Sequence, residues 1–150
     1  MALITDIADA VVTELASGGE GFSESFTPER RVLPHYELAD LKDLRVTVVP
    51  RGVEITGASR TLSQHDVQID IGIQKKLLAG AEAGTDVDTQ VAELLSLVEE
   101  IAEFLQRRPL AAMPQAVWVT TSNEPIYAPD HLAETRLFTS VLTVTYRLLK

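Results

Sequence analysis

Apolar residues at the start of the chain recur at helical spacing. Ile4, Ile7, Ala8, Val11, Val12 and Leu15 fall on one stripe, which predicts a helix over residues 3–16. Thr5 and Asp6 are its candidate N-caps, and Gly18-Gly19 ends it. Residues 22–34 lose this period and read as an irregular extended segment. Phe26 and Val32 are its expected core contacts, while Pro28 and Pro34 confine it to an edge or a loop. Residues 44–49 form a compact, β-branched strand. Pro50-Arg51-Gly52 is expected to turn the chain, with 53–56 continuing as a short partner strand. The small, polar stretch 57–64 reads as a loop. Residues 66–74 then alternate cleanly: Val67, Ile69, Ile71 and Ile73 take one face of a strand, and Asp66, Gln68, Asp70 and Gly72 the other.

Residues 78–86, with Gly80 and Gly84, read as a linker and a helix start. A second helix is predicted over 86–107, where Val87, Val91, Leu94, Leu95, Val98, Ile101, Ala102 and Leu105 line one side. Asp86 and Asp88 suit its N-terminal end, Arg107 and Arg108 its C-terminal end, and Pro109 stops it. Residues 116–121 give a strand, 122–125 a turn, and Pro129-Asp130-His131 a connection or short helical turn. Residues 137–148 give a long final strand, with Phe138, Leu142, Val144, Tyr146 and Leu148 mainly on one face. The order is helix, several strands, helix, two strands. It predicts a single α+β domain over 1–150, an antiparallel β-sheet with two main helices packed on one face.

Charge sharpens this picture. The net charge is -9, and the chain has no cysteine. Disulfides, thiolate catalysis and Cys-ligated zinc are excluded. The acids concentrate in the two helical segments, since residues 1–29 and 77–106 contain no base. The plain reading is two solvated helix faces, and the functional one is a two-sided molecule that docks neighbours in one orientation. The acidic balance and scattered basic doublets argue against a nucleic-acid binder. Residues 1–16 carry Asp6, Asp9 and Glu14 but no base, the reverse of a signal peptide's start, so a cytoplasmic protein is the default. No apolar run is long enough for a membrane span.

Candidate chemistry is sparse. His35, His65 and His131 have no metal-ligand spacing, and no glycine-rich phosphate loop or nucleophile elbow occurs. Ser63, His65 and Asp66 cluster locally, but neighbours on a strand point to opposite faces, so no triad is expected. Glu99, Glu100 and Glu103 lie on the polar side of the second helix, where a solvated role is expected. Asp66 and Asp70 line the non-core face of their strand and would need partners such as Arg45 or Arg147 if a neighbour covered them. No catalytic residue, cofactor or metal ligand is expected. The loop 57–64 is the best candidate for partner contact, because it exceeds what a tight hairpin needs. Arg60, with Arg51 and Arg45 nearby in sequence, offers it a basic surface. Arg45, Arg51, Arg60, Ser63, Asp66 and Asp70 are the candidate interface residues.

The whole chain resembles bacteriophage tail-terminator and head–tail joining proteins. The features that carry the resemblance are the leading helix Leu3-Ile4-Thr5-Asp6-Ile7-Ala8-Asp9-Ala10-Val11 and the extended Phe26-Thr27-Pro28-Glu29-Arg30. They also include the strands Leu44-Arg45-Val46-Thr47-Val48-Val49-Pro50 and Val67-Gln68-Ile69-Asp70-Ile71-Gly72-Ile73, the long amphipathic helix, and the closing Phe138-Thr139-Ser140-Val141-Leu142-Thr143-Val144-Thr145-Tyr146. The resemblance implies a non-enzymatic virion protein of the tail or neck, assembled in the host cytoplasm. Such proteins form a homo-oligomeric ring, typically a hexamer, on the last ring of the tail tube protein. The ring stops polymerisation and offers a surface to the neck connector, with the tail sheath a further possible neighbour. Genomic DNA passes the lumen without specific binding, which an acidic lining would favour. Other readings are a different neck or tail-completion component, or a small α+β ligand-binding domain or enzyme.

Overall fold

The computed structural model describes residues 2–32, 43–77 and 87–150. Three helices and five strands alternate as α1 (Leu3–Ser17), β1 (Pro28–Arg30), β2 (Arg45–Gly57), β3 (Ser63–Lys76), α2 (Val87–Leu105), β4 (Val117–Ser122), α3 (Pro129–Thr135) and β5 (Leu137–Leu149). The strands form one sheet in the order β1-β2-β3-β5-β4. The fold is α+β, as the pattern predicts. The sheet is mixed, however: β1 runs parallel to β2 while every other pair is antiparallel.

Cross-strand register sorts the side chains onto two faces. Val46 and Val48 of β2 meet Ile73 and Ile71 of β3, which in turn meet Ser140 and Leu142 of β5. Val67 and Ile69 likewise face Tyr146 and Val144. This helix side of the sheet is sealed by Ile7, Val11 and Leu15 of α1 and by Leu94, Leu97, Val98, Ile101 and Leu105 of α2, all in one apolar cluster. The helices contribute residues of the stripes their sequences mark, together with Ala10 of α1 and Leu97 of α2, which those stripes leave out. The opposite, open side carries Asp66, Gln68, Asp70, Thr143, Thr145 and Arg147. Helix α3 packs on β5, where Tyr127 and Phe138 bring their ring centroids to 6.3 Å.

Several local expectations are corrected. Pro50-Arg51-Gly52 does not turn the chain, because β2 runs straight through it as a thirteen-residue strand. The register steps from Pro50↔Ile69 to Gly52↔Gln68, so Arg51 is the extra residue of a bulge. Proline is tolerated there because β1 ends beside Val48 and needs no donor from position 50. Gly57, Ser63 and Gln64 belong to the ladder, and the hairpin loop shrinks to residues 58–62. Ala2, not Thr5 or Asp6, is the N-cap of α1, with the Asp6 N–H bonded to the Ala2 carbonyl at 3.0 Å. Val32 is 80% exposed rather than core. Phe26 does reach the core edge. Helix α2 ends at Leu105, two residues early, because Arg107 takes a left-handed φ of 56°. The expected roles of Pro34, His35 and 78–86 lie outside the described residues.

Candidate functional site

The most organised polar surface is the open side of β3 and β5. Asp66 and Arg147 are cross-strand partners, and Arg147 Nε and Nη2 donate to the two Asp66 oxygens at 2.8 and 3.2 Å. The Arg147 hydrogen bond holds the Asp66 carboxyl below the usual carboxylate range, outweighing its desolvation. One row along, the Thr143 hydroxyl donates to Asp70 at 2.8 Å. Arg51 reaches the same site, with Nη1 donating to Thr143 Oγ1 at 3.1 Å and lying 3.6 Å from the Asp70 carboxylate. The bulge explains this reach, since the extra residue tips Arg51 over the neighbouring strands. Arg147 is thus the partner of Asp66 that the strand pattern anticipates. Asp70 turns to Arg51 instead of Arg45.

The interface candidates do not converge on one spot. Arg45 starts β2, beside Asp43 and Lys75, and is itself engaged. The end of β2 lies roughly 40 Å further along, at about 3.3 Å per residue. Arg60 stands beyond that, in the hairpin loop, exposed and without a partner among the described residues. Ser63 pairs with Gly57 at the hairpin loop and, on its other side, exchanges backbone hydrogen bonds with Lys150 at 2.8 and 2.9 Å, extending the β3–β5 ladder. Of the six candidates, Arg45, Arg51, Asp66 and Asp70 share the open face, but only Arg51 and Asp70 meet there, and the charges of Arg51, Asp66 and Asp70 are largely matched within the chain. His65 pairs with Ile55 and Leu148 on the helix side, whereas Asp66 faces the open side, so Ser63, His65 and Asp66 do not form a relay. His131 Nδ1 lies 3.1 Å from Thr139 Oγ1, a local contact of α3 with β5.

A second polar centre lies under the helices. Glu14 is 5% exposed on α1. Its carboxylate accepts the Ala111 N–H at 2.6 Å and Arg108 Nε at 2.8 Å. Burial raises its pKa, but the Ala111 and Arg108 bonds outweigh this and leave it lowered. The Tyr146 hydroxyl is buried with no hydrogen-bond partner, and burial together with the Glu14 charge drives its pKa upward. The solvated reading of the acidic helices fails at Glu14. Glu100 stays partly exposed, and accepts the Ser23 N–H at 2.8 Å and its hydroxyl at 2.6 Å at the surface. Glu99 and Glu103 are exposed as expected.

Beside this centre, an open cleft of about 1060 Å³ lies where α1 meets α2, lined by Gly18, Phe22, Phe26, Glu100, Phe104 and Arg108. The Phe104 ring meets Phe22 edge-on at 5.2 Å and lies 4.0 Å from the Arg108 guanidinium. Glu100 and Arg108 are thus engaged by the fold itself, while Glu103, also in the lining, is exposed. Among the described residues, no three His, Asp or Glu side chains are grouped to hold a metal.

The other conspicuous surface is apolar. Val53, Ile55 and Leu62 are 47%, 59% and 43% exposed on and beside the outer half of β2. The sequence pattern makes 53–56 a short partner strand and does not show that this strand lies at an open edge. No protein-family model and no curated protein matches the chain.

Proposed function

We propose that this chain is a structural component of a bacteriophage tail, a tail-terminator-like protein that forms a ring on the finished tail tube and presents a surface to the neck. The observation that supports the reading is the β2–β3 hairpin. Its outer half carries Val53, Ile55 and Leu62 largely exposed, and Arg60 stands in its loop. Contiguous apolar surface of this kind marks a contact site in soluble proteins. The polar groups on the open face are paired along the strands, which suits a rigid plate. The net charge of -9 suits a conduit past which DNA slides without adhering.

The reading is tested by assembling tail tubes from the cognate tube protein with and without this protein. Tubes are expected to stop at a uniform length and to accept the neck only when it is present. Unrestricted growth in its presence rejects the terminator role. Normal tube length with failed neck attachment reassigns the protein to a different neck position.

A further inference from the structure

The sheet has two unprotected edges, and they differ. On one side, β1 covers β2 only at Val46–Val48, with one further bond from the Arg31 N–H to the Val48 carbonyl. From Arg51 to Gly57, β2 has no strand neighbour on its outer edge among the described residues. On the other side, β4 pairs with β5 alone, and the outer edge of its six residues has no strand neighbour among the described residues. Such edges are templates for a further strand unless charge, proline or a bulge blocks them, and β4 has one bulge, at Val119, with Thr120 to Ser122 in register beyond it. Past Pro50, the outer half of β2 carries only Arg51 and Glu54 as charges, and Arg51 is tied to Asp70 and Thr143.

Side-chain placement makes the edges complementary. Val53 lies opposite Val67, and Ile55 opposite His65, so both point to the helix side. There they extend the core's apolar layer into solvent. At the other edge, Trp118 and Thr121 lie opposite Tyr146 and Val144, on the same side of the sheet. Between β4 and α2 a groove of about 340 Å³ is lined by the apolar Ala102, Trp118 and Leu142 and by the polar Glu103, Gln106 and Thr120. A strand added to β4 in the plane of the sheet places its helix-side residues at this groove.

We infer that the outer half of β2 from one copy adds as a strand to the β4 edge of a second copy, seating Val53 and Ile55 in the groove between β4 and α2. The donor and acceptor segments are of similar length. Backbone hydrogen bonds supply the adhesion, and the alternate side chains supply register, as in other strand additions. Because the two edges are different surfaces, the contact is heterologous. Each copy keeps one donor and one acceptor edge, and a chain of copies closes into a ring when its rotation permits. This interface rests on the sheet edges alone and does not depend on the tail reading.

The chain has no cysteine, so introduced thiols report cleanly. Thr56 lies on the exposed outer half of β2, on the open side, and Thr120 is exposed on β4, opposite Thr145 and at the rim of the groove. Two single variants, Thr56→Cys and Thr120→Cys, are mixed and treated with a flexible bismaleimide at protein concentrations up to about 1 mM, where millimolar pairing registers. The mixture is expected to give covalent dimers, and each variant alone only monomer. Ile55→Lys placed in the Thr56→Cys chain should lower the dimer yield at least tenfold. The same change in the Thr120→Cys chain should leave the yield unaltered, because that copy offers its other edge. Dimers from either variant alone, no dimers from the mixture, or equal effects of Ile55→Lys in both chains would overturn the edge pairing. A ring on tails whose subunits do not cross-link removes this interface and leaves the tail reading standing.

Discussion

Glu14 shows how much one position can hide. It falls in the same helical row as Ile7 and Val11, so the spacing places an acid on a core stripe. That signal was present in the sequence, but its partners were not. Arg108 and Ala111 lie more than ninety residues away, and only folding brings them to Glu14. The Glu14 pKa is depressed below its ordinary value of 4.5. Its stabilisation is therefore complete above that value and is lost as the pH falls through the lower, folded value. Glu14→Gln should cost about 1–3 kcal/mol at neutral pH. It should also flatten the acid limb of a denaturation-midpoint-versus-pH curve. An unchanged acid limb would assign that limb to other carboxylates. Gly18 is the neighbouring case. The sequence identified it as the end of α1, but its backbone is not left-handed, so conformational freedom is not the reason. A Cβ there would stand 2.7 Å from the Phe104 ring. Gly18→Ala should cost about 1–3 kcal/mol by urea titration, through displacement of that ring.

At the scale of elements, periodicity was a good guide where one face alone is buried. Helix α2 buries Leu94, Leu97, Val98, Ile101 and Leu105, and strand β3 buries the alternate positions Val67 to Ile73. Leu94→Asp or Val98→Asp should each cost about 3 kcal/mol or more, whereas Glu99→Gln with Glu103→Gln should stay within about 0.5 kcal/mol. Thermal denaturation of the variants checks this, and the reverse order would invert the assigned faces. Strand β2 was misread because proline and glycine punctuate it. Their turn preference is local, but the strand is imposed by β3, which pairs on both sides of the bulge. The strands absorb Gly57, Ser63 and Gln64, three of the eight residues of the predicted loop. Replacing residues 58–62 by Asn-Gly should preserve the denaturation midpoint and impair joining to tails. Arg60→Glu should weaken joining more at low salt than at high salt, because an exposed charge is screened. A shortened hairpin that still joins tails normally would remove the loop tip from the contact.

For the molecule as a whole, the alternation of one helix, strands and a second helix was enough to give an α+β sheet with its helices on one side. The parallel placement of β1 was not legible, because its three residues have no period to read and Pro28 argues only for an edge. The candidate interface was legible in part. Alternation put Asp66 and Asp70 on one face and named Arg147 as a partner, whereas the position of Arg51 depends on a bulge that residue types alone do not specify. The exposed apolar edge became visible only once the strand order was known, because exposure depends on where β1 stops. The proposed ring draws on these surfaces, and its proposed tail position on the resemblance of the sequence to tail terminators. The most direct measurement is electron cryomicroscopy of the head-proximal end of tails assembled with this protein. The account predicts a closed ring of identical copies of this chain seated on the last tube ring. Tails that end in bare tube protein, or this chain found elsewhere in the particle, would contradict it.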